Sequence, residues 1–140
     1  MANVIYNSFK AKIMDGSIDL NTDTIKVALV TSSYTPDQDA HDFFDDVTNE
    51  VSGTGYTAGG ATLANCAVTA DNTDNEGVFD ADDVTWSSST ITARGAVIYK
   101  STGTASSSPL ICYIDFGEDK VSSAGNFTIT WNAEGIINLG

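Results

Sequence analysis

The sequence predicts a mainly β protein, an antiparallel β-sandwich or jelly-roll-like domain with a short N-terminal helix and a second short helix near residues 36–47. Three observations predict it. From Val51 onward, short β-type runs alternate with turn-rich gaps, the pattern of an all-β domain. Within residues 126–131, Phe127, Ile129 and Trp131 alternate with Asn126, Thr128 and Thr130, so one face is apolar and the other wet. Before Val51, two stretches instead carry apolar residues at helical spacing.

In chain order, Ile5, Phe9 and Ile13 recur every four residues and predict a first helix. Asn3 is the candidate N-cap, Lys10 and Lys12 complement the dipole in the last turn, and Gly16 is the stop. This helical segment covers residues 1–16, and residues 17–140 form the β-rich body of the same domain. Residues 24–31 predict a strand with Ile25, Val27 and Leu29 on one face and Lys26, Ala28 and Val30 on the other. Few charges on either face mark it as well buried. Thr35 and Gln38 match a capping box, Pro36 suits the first helical position, and Ala40, Phe43, Phe44 and Val47 follow i, i+3, i+4, i+7 spacing. A flexible connection rich in Gly53, Gly55, Gly59 and Gly60 follows. The later strands are predicted at 61–70, 78–86, 91–100, 109–116, 126–131 and 135–139, with a Ser/Thr-rich hairpin loop at 101–108.

A chain of 140 residues is the size of one domain and can bury a core without a metal or disulfide staple. No apolar run approaches the ~18 residues of a membrane span, and the opening Met1-Ala2-Asn3-Val4 lacks the basic and apolar regions of a secretory signal. Six basic residues face 19 acidic ones, a net charge of −13, which argues against a nucleic-acid partner whose phosphates need Lys and Arg. The acid is clustered at residues 37–50 and 71–83, whereas residues 1–14 carry Lys10 and Lys12 and no acid.

No motif carries catalysis. The glycine run 53–60 lacks the Gly-Lys-Ser/Thr ending of a phosphate loop. The single histidine, His41, sits among Asp39, Asp42, Asp45 and Asp46 with no nucleophile motif, and reads as a solvated side chain. Cys66 and Cys112 lie in apolar strand-like runs and read as two buried thiols, with a disulfide open if their strands are neighbours. Asn72, Asp74, Glu76, Asp80 and Asp83 partly imitate a calcium loop, with a glycine at 77. Asn at its first place, Asp at its last and the lack of flanking helices favour a solvated acidic turn over a calcium site. Trp86, Trp131, Tyr34, Tyr56, Tyr99 and Tyr113 would make a sugar-stacking platform only if exposed, and the strand pattern puts Trp131 in the core.

Five blocks together resemble a group of small tailed-bacteriophage virion proteins. They are Met-Ala-Asn-Val-Ile-Tyr-Asn-Ser-Phe-Lys at 1–10, Asp-Thr-Ile-Lys-Val-Ala-Leu-Val-Thr-Ser-Ser-Tyr at 23–34, and Asn-Glu-Val-Ser-Gly-Thr-Gly-Tyr-Thr-Ala-Gly-Gly at 49–60. The remaining two are Ser-Pro-Leu-Ile-Cys-Tyr-Ile-Asp-Phe-Gly at 108–117 and Phe-Thr-Ile-Thr-Trp-Asn-Ala-Glu-Gly-Ile at 127–136. The resemblance spans nearly the whole chain and contains no catalytic motif. It implies a non-enzymatic capsid decoration (cement) protein that needs no cofactor and sits on the outer head surface after a period in the host cytoplasm. The implied partners are the major capsid protein and further copies of the chain, as a homo-trimer or other homo-oligomer, with no nucleic acid and no membrane. A tail, neck or head-fibre component fits the same blocks, and a carbohydrate-binding adhesion module is the competing class. The basic excess at the N-terminus makes Tyr6, Phe9, Lys10 and Lys12 the candidate contact with a capsid or a neighbouring copy.

Overall fold

A computed structural model describes all 140 residues. The elements are β1 (Val4–Ile5), α1 (Asn7–Met14), β2 (Ile25–Val30), β3 (Ala61–Thr62), β4 (Ala67–Asp71), β5 (Glu76–Asp80), β6 (Val84–Lys100), β7 (Leu110–Ile129) and β8 (Ile137–Leu139). Two antiparallel sheets pack in a sandwich-like arrangement, one of five strands ordered β1-β7-β6-β2-β3 and one of three ordered β4-β5-β8.

The long β6–β7 hairpin is the backbone of the molecule, paired from Val84 opposite Ile129 to Tyr99 opposite Leu110. The sequence reading broke each of these strands in two, at the Ser-rich stretch 87–90 and at the Gly- and Ser-rich stretch 117–125. The pairing instead resumes on both sides of a four-residue excursion, 116–119 opposite Arg94 with Gly117 at φ of 83°, and passes through bulges where Ser88 and Ala124 adopt positive φ of 50° and 47°. Buried Ser89 makes this possible: its Oγ lies 3.0 Å from Trp86 O, 2.9 Å from Gly125 O and 2.8 Å from Ser122 Oγ. Small polar residues therefore mark bulges here, not turns. The expected strand over 61–70 is likewise two short strands, β3 and β4, with Leu63–Cys66 outside the ladder.

β2 behaves as its composition predicts. Ile25, Val27 and Leu29 enter the main core between the sheets, while Ala28 and Val30 enter a second cluster on the other side. The main core also takes Trp86, Ile98, Ile114, Phe127, Ile129 and Trp131, with Phe79 and Ile137 from the small sheet. Each fully buried aliphatic side chain contributes about 1.5–3 kcal/mol. Trp86 and Phe127 face each other across the hairpin with rings edge to face at 6.1 Å, a geometry worth about 0.5–1.5 kcal/mol beyond area.

The second cluster contains Tyr6, Tyr34, Val97, Tyr99, Leu110 and Tyr113, with Phe44 and Val47 packed on it. Its cover is the segment predicted as the second helix. That helix does not form; 36–47 is an irregular cover with a turn at 38–40, closed by His41 N–H to Asp37 O, and one 3₁₀ turn, Phe44–Asp46. The aspartates that dress the pattern also defeat it. Asp37 Oδ1 accepts the Asp39 and Ala40 N–H groups, both at 3.0 Å, and Asp46 Oδ2 accepts that of Asp42 at 3.0 Å. Such local side-chain bonds compete with helical ones. The strand ends take the rest: Phe44 N–H donates to Ser108 O, Leu110 N–H to Asp42 O, and the Gln38 amide to Ile5 O. Gln38 is thus a cross-link to β1, not a cap.

The first helix forms later than its pattern suggests. Tyr6 occupies the N-cap position, and Asn3 instead accepts the Asp115 N–H at 2.6 Å. That bond holds β1 beside β7, where Val4 lies opposite Tyr113.

Candidate interaction surface

The N-terminal segment is anchored from within. Tyr6 is 0 % and Phe9 2 % exposed, so neither can meet a partner, and the contact read from sequence reduces to exposed Lys10 and half-buried Lys12. Lys12 Nζ rests 5.0 Å above the Phe43 ring. The ion pairs are Arg94 with Asp115, Lys100 with Asp23 and Lys120 with Glu118, which leaves Lys10, Lys12 and Lys26 without a carboxylate partner.

Tyr6 leads instead to His41. Tyr6 Oη lies 2.8 Å from Tyr34 Oη, which lies 3.0 Å from His41 Nδ1. Asp37 N–H donates to the same nitrogen at 3.2 Å, so Nδ1 is an acceptor and the ring proton sits on Nε2. Burial pushes both the Tyr6 and Tyr34 phenols above their ordinary value. The chain of bonds pins the 31–47 cover to the second cluster and commits His41 Nδ1 to a phenol and a backbone amide, not to a serine or thiol.

Of the five candidate calcium-loop residues, only Asp74 and Glu76 come together. The stretch 71–76 is the tight turn of the β4–β5 hairpin. Asp80 lies at the far end of that hairpin opposite Ala67, roughly 13 Å along the strand from Glu76 at 3.3 Å per residue. Asp83 Oδ1 accepts the Trp131 N–H at 2.9 Å, and Asn72 and Asp74 stay in the turn. The carboxylates that could share a cation are Asp71, Asp74 and Glu76, whose oxygens lie within 4.8 Å. Two of the three already have work within the fold. Asp71 accepts the Thr73 N–H at 2.8 Å, and Glu76 accepts the Asn138 amide at 2.6 Å.

Both cysteines are free. Cys112 is buried on β7 opposite Ile98, and burial pushes its thiol up to about 12. Cys66 is only half-buried, outside any strand, so the reading of two buried thiols holds for Cys112 alone. The aromatic platform needed for sugar stacking is not on the surface. Trp86 and Trp131 are 7 % and 6 % exposed, and the Trp131 indole N–H donates to Asp82 O at 2.8 Å.

What does reach the surface is aliphatic. The large exposed hydrophobic residues are Met1, Met14, Val68, Val121 and Leu139, and all five lie in two hollows. The first, of about 680 Å³, opens between α1 and the small sheet. Phe9, Ile18, Phe79 and Ile137 are its buried floor; Met14, Val68 and Leu139 are its rims. Register explains the sheet side: Val68, Phe79 and Ile137 lie in one row and Gly77 with Leu139 two residues on, so all share a face. A Cβ at Gly77 would meet only Leu139 O, at 4.0 Å, so a side chain there would have room to fill part of the hollow. Lys10 stands at its rim.

The second hollow, of about 540 Å³, follows the outer side of β7, with Met1, Phe116, Lys120, Val121 and Phe127 among its lining. β1 covers β7 only at Cys112 and Tyr113, so beyond them this side of β7 has no strand partner. Sequence reading found neither hollow. Val68 and Leu139 fall in the strands expected at 61–70 and 135–139, and Met14 lies outside the Ile5, Phe9, Ile13 pattern, so nothing in the sequence marks these three as neighbours. Compared with known proteins, the chain matches no family model, no curated protein and no solved structure.

Proposed function

We propose that the chain is a non-enzymatic bacteriophage virion structural protein, a capsid decoration protein that binds the outer head surface and stabilises the shell. The observation that carries the reading is the gathering of the large exposed hydrophobic side chains into two surface hollows, the one beside α1 mainly apolar, on a strongly acidic chain. A folded protein that gathers its exposed large apolar side chains into patches presents them for docking. Tryptophans in the core and a histidine tied to Tyr34 and Asp37 favour adhesion over sugar binding or hydrolysis. The charge of −13 suits a surface that faces solvent and never meets packaged DNA, and it keeps undocked copies soluble. Docking against that charge is aided by cellular salt, which screens beyond about 8 Å.

The test is location and copy number. Antibody labelling of intact particles, with quantitative mass spectrometry, is expected to find the chain in hundreds of copies spread over the head. A handful of copies at the tail or neck would replace this reading with a tail or head-fibre role, and absence from the particle would end it. Deleting residues 1–14 is a poor probe, because Tyr6 and Phe9 belong to the core. Lys10→Glu probes the same surface at the loss of one exposed hydrogen bond, from Lys10 Nζ to Asn7 Oδ1.

A further inference from the structure

We propose that β4 takes up an extended segment of a partner protein as an added edge strand, one whose side chains alternate between aliphatic and cationic. The contact deepens the decoration reading and rests on it for its biological setting. β4 stands at the end of the three-stranded sheet, and β5 is its only backbone hydrogen-bonding partner. The N–H and C=O groups on its outer side are therefore free to pair with another chain. Edge strands are ordinarily shielded by charge, proline or a bulge. Residues 67–70, Ala-Val-Thr-Ala, carry neither charge nor proline, pair one-to-one with β5 without a bulge, and are all exposed.

The two faces of β4 specify the side chains of the added strand. Val68 stands at the rim of the mainly apolar hollow beside α1. On the opposite face, Ala67, Thr69 and Asp71 line a separate hollow of about 430 Å³, together with Asp80 and Glu134 and no cation. Neither Asp71, Asp80 nor Glu134 is in an ion pair, and no Lys or Arg occurs in 61–83 or 132–140. Ala67 and Thr69 are short, so a long cationic side chain can lie over them and reach the carboxylates. Because strand side chains alternate between faces, the complement of β4 carries aliphatic residues on one face and Lys or Arg on the other. A second copy of this chain offers no such segment. Its strand cations Lys26, Arg94 and Lys100 lie in β2 and β6, inside the five-stranded sheet, and Lys120 is paired with Glu118. The occupant is a different protein.

The probe is the synthetic peptide acetyl-Val-Lys-Val-Lys-Val-Lys-Val-amide, titrated into the full chain in cellular salt and followed by amide NMR and hydrogen exchange. Saturable binding with Kd below ~1 mM and slowed exchange within residues 67–71 are expected. A counterpart with Glu for Lys, and a copy N-methylated at every residue, are each expected to bind weaker by about tenfold or more. The protein variants Val68→Lys and Asp80→Asn with Glu134→Gln, each checked for wild-type thermal unfolding, are expected to lose binding to a similar degree. No binding up to ~1 mM overturns the proposal. So do equal binding of the Glu peptide, equal binding of the methylated copy, protection outside β4, or full binding by both variants. Absence of peptide binding by a chain that is found on heads overturns this contact and leaves the decoration role standing. Peptide binding by a chain that is absent from heads supports the contact and overturns the role.

Discussion

Glu50 fixes the glycine-rich 53–60 connection, and its removal has a calculable cost. Its Oε2 accepts the Tyr56 O–H at 2.5 Å and the Gly59 N–H at 2.7 Å. Tyr56 Oη in turn accepts the N–H of fully buried Leu29 at 3.0 Å, and Tyr99 O–H donates to Gly59 O at 2.6 Å. The connection is thereby sewn to β2 and β6 from both ends. Hydrogen bonds to a charged group are worth about 1.5–3 kcal/mol each when well buried. Glu50 is half-buried, so Glu50→Ala is expected to cost about 2–3 kcal/mol for the pair. Tyr56→Phe leaves the Leu29 N–H without an acceptor and is expected to cost about 2 kcal/mol. Because the two changes remove one shared bond, the double variant falls short of their sum by about 1–2 kcal/mol. Urea denaturation of all four proteins measures this cycle, with unchanged m values as the control. A Glu50→Ala cost below ~0.5 kcal/mol, or strict additivity, would refute the network.

Further outcomes follow from individual positions. Gly60 has φ of +80° and a Cβ there would overlap Val27 O, so Gly60→Ala is expected to lower stability by more than about 2 kcal/mol, read as a drop in Tm. Ser89→Ala removes the hydroxyl that satisfies the β6–β7 bulge and is expected to cost about 1–2 kcal/mol in the same assay. Without reductant, denatured protein is expected to take two thiol alkylations by mass spectrometry, and native protein to protect Cys112 while Cys66 reacts slowly. Stability against pH is expected to rise slightly from neutral toward pH ~5 as like charge is relieved, then to fall. The fall follows from Asp115, held below its ordinary value by Arg94, and Asp37, held below it by the Ala40 and Asp39 amides. Their stabilisation is complete above the unfolded pKa near 3.9 and is lost as pH drops below it through the depressed folded values. Urea midpoints that improve steadily down to pH ~3 would contradict this assignment.

Strands whose composition and alternation agree were legible in the sequence. Residues 126–131 alternate as read, with Phe127, Ile129 and Trp131 inside, and β2 is buried on both faces as its few charges imply. Residues that serve two grammars were not legible. Ser87–Thr90 and Gly117–Gly125 have turn composition, yet Ser89 and Ser122 bond each other within bulges of the same β6–β7 hairpin, which pairs on both sides of them. The 35–47 pattern has helical spacing, yet Asp37 and Asp46 bind local amides and Gln38 binds across to β1. The hollows escaped for a different reason. Whether Val68 or Leu139 is covered depends on where α1 packs over the small sheet, which no local pattern records.

We propose that this acidic sandwich adheres through its two surface hollows. A cryo-EM map of intact particles, resolved to side chains, tests that most directly. The account predicts this fold on the outer head surface with Met14, Val68, Leu139 and Val121 covered by neighbouring protein. Density at the tail, or copies on the head whose hollows face open solvent, would contradict it.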